Sequence, residues 1–140
     1  MPPAAAACWL LKTEPGTYSW EDLVRDKRTA WDGIKNPLAL KHLRSASRGD
    51  EVIIYHTGNE RRAMGFARIV KAAYPDPKLD DPKRLVVDVE AAEPLAAPVT
   101  LEQIKGDPAF AGWDLLRLSR LSFVPVPLPM RRRLLALAKS

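Results

Sequence analysis

The sequence predicts an α/β domain of the α+β kind, a small, mainly antiparallel, curled sheet or barrel with short helices packed on it. Three observations lead there. The elements run strand, helix, helix, hairpin, then strands with short helices, which is not the βαβα alternation of a parallel doubly wound sheet. Thirteen prolines in 140 residues, about twice average usage, are scattered and punctuate short elements. Apolar residues make up 46% and charged residues 28%, enough to build one core in a chain of single-domain length.

Residues 1–7 read as a flexible tail and residues 8–139 as a single domain. Cys8 to Lys12 reads as a short strand, stopped by the Pro15-Gly16 turn. Ser19 followed by Asp22 resembles a capping box and opens a helix from Trp20 to Arg28. Asn36-Pro37 is a second helix start, with proline at the first helical position. Leu38, Leu40 and Leu43 then give one apolar face, and the helix is expected to end near Arg48-Gly49-Asp50.

Glu51 to His56 follows as a buried strand rich in β-branched residues, with Ala63 to Ala72 as its antiparallel partner. Tyr74-Pro75-Asp76-Pro77 should break the ladder. Leu85 to Val89 alternates as a strand, Thr100 caps a helix at Leu101–Lys105, and Asp114 to Arg117 continues helical or irregular. Leu121 to Val126 is the last strand. Pro129 opens a helix through Lys139 with Leu134, Leu135 and Ala138 inward.

Composition excludes several classes. No apolar run is long enough to span a membrane as a helix. One cysteine, Cys8, makes no internal disulfide and no cysteine-rich zinc site. No metal or other cofactor is expected: the chain has no GxGxxG, P-loop, HExxH or GxSxG. The net charge is +5, spread evenly, with 11 basic and 8 acidic residues in positions 1–70 and 11 and 9 in positions 71–140. That excess suits an anionic partner such as nucleic acid. A cytoplasmic monomer, nucleoid-associated or free, is the accompanying expectation.

The histidines are His42, placed on the solvent side of its helix, and His56, at a strand end beside Tyr55. Asp80-Asp81 reads as a solvated loop pair. Three of the four tryptophans fall within residues 9–31. Trp9 and Trp20 read as core. Trp31 precedes the turn dipeptide Asp32-Gly33, which leaves two readings open: a core residue, or a partly accessible ring on a loop, lining a pocket with Thr13 at a strand end and Asn36 at a helix start. An indole with such polar neighbours can stack a flat base and hydrogen-bond its edge. Lys12, Lys35, Arg44 and Arg48 are the candidate phosphate contacts. A second reading is an enzyme acting on a small molecule or nucleotide, with His56 or Asp32 as acid–base group. A third is a protein-interaction surface on the Arg131-Arg132-Arg133 helix.

The tracts WLLKTEP (9–15), YSWEDL (18–23), WDGIKN (31–36), GDEVIIYHTG (49–58), GFARIVKAAYPDP (65–77), PVTLEQIK (98–105) and RLSFVPV (120–126), in this order, resemble the EVE domain family. The resemblance runs from Trp9 to Leu137. It implies a PUA-like, mixed and mainly antiparallel sheet of five or six strands, barrel-like and flanked by helices, similar to the YTH domain. It also implies a non-catalytic reader of one modified base, a methylated or hydroxymethylated cytosine in DNA or a modified base in RNA. By position, Trp31 resembles the family's principal cage tryptophan and Thr13 the hydroxyl residue beside the pocket. Asp32, Gly33, Ile34 and Asn36 match its WDGVRN tract. Tyr55, His56 and Ser122 match its YHS-like and RLSV tracts around the same cavity. The chain departs from the family at Pro37-Leu38-Ala39-Leu40, where Tyr-Gln-Ala-Arg is common, and in a shorter Leu79–Arg84 loop.

Overall fold

The computed structural model describes residues 7–118 and 120–138. The proposed tail, apart from Ala7, and Lys139 lie outside the described residues. The strands are β1 (Cys8–Thr13), β2 (Arg28–Trp31), β3 (Glu51–His56), β4 (Arg62–Pro75), β5 (Leu85–Thr100) and β6 (Phe123–Pro125). The helices are α1 (Trp20–Asp26), α2 (Pro37–Ser45), α3 (Leu101–Lys105), α4 (Asp114–Arg117) and α5 (Leu128–Ala138), with a 3-10 turn at Pro108–Phe110. The strands form one sheet in the order β2-β5-β4-β3-β1-β6. Only β1 with β3 is parallel; the other pairs are antiparallel. The mixed, mainly antiparallel six-stranded sheet is therefore as expected.

Local chemistry explains the starts of α1, α2 and α3. Ser19 and Asp22 make the expected reciprocal cap, Asp22 N–H to Ser19 Oγ at 3.0 Å and Ser19 N–H to Asp22 Oδ2 at 2.9 Å. Asn36 Oδ1 accepts from the N–H groups of Leu38 (2.8 Å) and Ala39 (3.2 Å), satisfying two donors at the start of α2. Thr100 and Gln103 repeat the device at α3.

Several boundaries differ from expectation. Helix α1 stops at Asp26 because Lys27 takes φ +68°, and the chain continues as strand β2, so Trp31 ends a strand instead of sitting on a loop. Helix α2 ends at Ser45. Gly49, at φ +95°, instead turns the chain into β3, its N–H bonding Ile69 O at 2.8 Å. The expected break falls inside the Tyr74–Pro77 tract, after Pro75, the last residue of β4, which still pairs with Leu85. Strand β5 runs on to Thr100 through Pro94 because register shifts flank the Gly65–Pro94 pairing. Such bulges absorb missing donors and bend the strands.

The core is continuous. Trp9 stacks on Phe123 with centroids 4.9 Å apart and its Nε1 donates to Asp50 Oδ2 at 3.0 Å. Trp20 is buried against Gly65, where an added Cβ would lie 2.5 Å from the indole. Both tryptophans are core residues. His42 does not face solvent as expected: its ring lies 5.8 Å from Trp9, with Nε2 buried and unbonded among the described residues. Arg131 grips both Glu51 carboxylate oxygens, at 2.7 and 3.0 Å, and Arg133 pairs with Asp107. Two of the three arginines thus anchor α5 to the body, which leaves the interaction-surface reading little to work with.

Candidate functional site

Where β1 and β2 end, Thr13, Thr17, Tyr18, Thr29, Ala30, Trp31 and Asp32 line a cleft of about 260 Å³. That is close to the lower end of roughly 300–1,000 Å³ for small-ligand pockets. The turn after β1 builds one wall. The N–H groups of Thr17 and Tyr18 both bond Glu14 O at 2.9 Å, and Thr13 Oγ1 donates to Tyr18 O at 2.6 Å. Tyr18 Oη donates to Asp26 Oδ2 at 2.8 Å, which fixes the phenol against α1. Burial and that bond to Asp26 raise the pKa of Tyr18, while a hydrogen bond with Thr29 opposes the rise.

Strand β2 supplies the other wall. Its pairing with β5 sets Trp31 opposite Val87. The Trp31 and Tyr18 rings meet edge to face, 5.6 Å apart at 88°. Gly33 then turns the chain at φ +82°, a conformation that favours glycine, and Ile34 re-enters the core. At the mouth, Asp32 Oδ2 pairs with Lys78 Nζ at 3.0 Å, which raises the pKa of the exposed Lys78.

Of the predicted site residues, the structure brings Thr13, Trp31 and Asp32 together. Trp31 is 8% exposed, not half-open, because β5 and Tyr18 cover it. Gly33 and Ile34 adjoin the cleft without lining it. Asn36 is corrected: its carboxamide is spent on the α2 cap, and it borders a separate hollow with Leu38, Arg117 and Arg120. Tyr55 is also corrected, since β3 is a central strand and buries it; desolvation pushes its phenol up to about 12. Ser122 is partly buried outside the cleft, its carbonyl accepting from Lys12 N–H at 2.8 Å. Lys35, Arg44 and Arg48 are exposed, and Lys12 is half-buried with its pKa lowered by desolvation.

His56 is buried with both ring nitrogens engaged. Its Nε2 accepts from Trp20 N–H at 2.9 Å, so the ring hydrogen sits on Nδ1, which faces Glu60 Oε1 at 2.8 Å. A ring held this way has no free nitrogen for acid–base work. Tyr18, Thr17 and Thr29 were not among the predicted site residues. Tyr18 lies within the aromatic YSW tract, the one signal that could have found it.

A wider groove of about 700 Å³ runs between α1 and β5, with Trp20, Val24, Ala92 and Pro94 on its walls. It is largely apolar and lacks an aromatic pair facing a polar group.

The EVE domain model matches residues 7–136. The chain belongs to the EVE domain family. Mouse thymocyte nuclear protein 1 is 34% identical over 69% of this chain and 54% of its own length, so this EVE domain spans about half of that relative. A Rhodopseudomonas palustris protein solved by NMR is 35% identical and superposes with a TM-score of 0.90, covering 96% of this chain and 94% of that one. The human THYN1 protein, crystallised in complex with DNA containing 5-methylcytosine, is 29% identical with a TM-score of 0.87, over 96% and 99% of the two chains.

Proposed function

We propose that this EVE domain is a non-catalytic reader of a modified base, held in the cleft that Trp31 and Tyr18 wall. The observation that carries the reading is the cleft itself: two aromatic rings at right angles, hydroxyls from Thr13 and Thr29, and one carboxylate. The human relative's complex with 5-methylcytosine DNA makes a methylated or hydroxymethylated cytosine the first ligand class. A modified base in RNA is the second. Stacking would supply about 1–3 kcal/mol per base, and the +5 charge a salt-sensitive backbone component through Lys35, Arg44 and Arg48.

The acid–base alternative loses its histidine to the Trp20 and Glu60 contacts. The test is fluorescence anisotropy with labelled oligonucleotides carrying cytosine, 5-methylcytosine or 5-hydroxymethylcytosine at one position, across a salt series. Tighter binding to one modified form, lost in Tyr18→Ala, is the expected result. No binding to any modified DNA or RNA oligonucleotide at low salt overturns the proposal.

A further inference from the structure

The polar groups of the cleft are unequally committed. Thr13 Oγ1 spends its hydrogen on Tyr18 O, and Tyr18 Oη spends its own on Asp26. What these two groups offer a ligand is lone pairs, whereas the Thr17 and Thr29 hydroxyls that also line the cleft can donate or accept. Asp32 adds the only carboxylate among the lining residues. Lys78 holds Asp32 through Oδ2, and Oδ1 carries no hydrogen bond from the described residues. The Asp32 side chain is 50% exposed, so it meets solvent and any entering ligand alike.

An ionised carboxylate only accepts hydrogen bonds. It attracts an amine and repels a carbonyl oxygen held at the same place. We infer that Asp32 determines base identity, selecting a 4-aminopyrimidine over a 4-oxopyrimidine by accepting from the exocyclic amine through Oδ1, with Lys78 as the positioning residue that holds the carboxylate. This rests on the base-binding reading of the cleft. It extends that reading from the modification to the amine, because 5-methylcytosine and thymine share the ring and the methyl group and differ at position 4. Carboxylate acceptance from a cytosine amine is an established pairing in base readout.

The experiment uses the whole chain and two duplexes identical except for one nucleotide, 5-methylcytosine or thymine, each opposite an abasic site so that extrusion breaks no base pair. Anisotropy gives the ratio of the two dissociation constants. The wild type is expected to prefer 5-methylcytosine by about tenfold or more, the scale of one good base-edge contact. Asp32→Asn is expected to narrow the ratio to within about threefold, since its amide can donate to the thymine carbonyl. Asp32→Ala should narrow it by weakening 5-methylcytosine alone, and Lys78→Met should narrow it in part. Both Asp32 variants keeping the wild-type ratio overturns the inference. So does a wild type that binds thymine equally well, through N3–H. Either result leaves base binding intact. Failure to bind both duplexes, and every modified oligonucleotide besides, overturns the base-binding reading itself.

Discussion

The Trp20 backbone N–H and the His56 ring are joined by one hydrogen bond, 2.9 Å long and wholly buried. It ties the first residue of α1 to the end of β3. His56→Leu removes the acceptor and strands the Trp20 N–H, a loss of roughly 1–3 kcal/mol. Urea denaturation should show that loss. Oligonucleotide affinity of the folded variant should match wild type, and a selective loss of binding would restore His56 to the site.

Trp31 both walls the cleft and fills the core. With only 8% of the residue exposed, Trp31→Ala should cost roughly 3–5 kcal/mol, more than a half-open cage residue would. Trp31→Phe keeps a ring in the core and is the better binding probe. It should stay folded and bind a modified oligonucleotide about tenfold more weakly, within the ~1–3 kcal/mol of a stacked base. Calorimetry and anisotropy on both variants check this.

Gly65 is small because Trp20 leans on it. A Cβ there would lie 2.5 Å from the indole, and the ring is buried and cannot swing away freely. Gly65→Ala should destabilise by about 1–3 kcal/mol. A thermal midpoint equal to wild type would show that the indole has room to move.

His42 sets a pH window. Burial lowers its pKa below 6.5, with Asp114 opposing and Lys41 reinforcing the shift. The unfolded chain therefore binds its proton first as pH falls. The stability His42 contributes is full above about 6.5 and declines below that until the folded ring also protonates. Thermal midpoints measured from pH 7.5 downward should fall less steeply for His42→Leu than for wild type.

Cys8 should be chemically silent. Desolvation, reinforced by Glu51, pushes its thiol up to about 12, so little thiolate exists at neutral pH. A colorimetric thiol assay should register Cys8 only after denaturant is added. Fast labelling of the native protein would contradict its burial.

Much of the fold was legible because its punctuation is local. Ser19 with Asp22, Asn36 with Pro37, and Thr100 with Gln103 each announce a helix start through bonds made within three residues. Long strands were not legible. Pro94 is a ladder-breaker by composition, yet the partner strand tolerates it through shifts in register that only tertiary pairing reveals. The same holds for the site. Trp31 stood out, being an aromatic beside a turn, and Thr13 and Asp32 were drawn in with it. Tyr55 lies away from the cleft, and nothing in its own tract says that β3 is central, whereas the helix start that Asn36 announces is the very bond that takes its carboxamide out of the site. Tyr18 was missed for the converse reason: only the fold of the Glu14–Tyr18 turn carries its ring to Trp31.

The place of β1 has a consequence for biosynthesis. This first strand lies inside the sheet, parallel to β3 on one side and covered by β6 on the other. During translation β3 emerges soon enough to pair with it. The other flank of β1, with Trp9 awaiting Phe123, stays open until nearly all the remaining elements have been made. For that interval the nascent chain carries an apolar strand with an unpaired edge, the kind of surface that recruits other chains. A ribosome stalled before Phe123 would thus hold a protein whose cleft walls, Tyr18 and Trp31, already exist while its sheet is still adhesive.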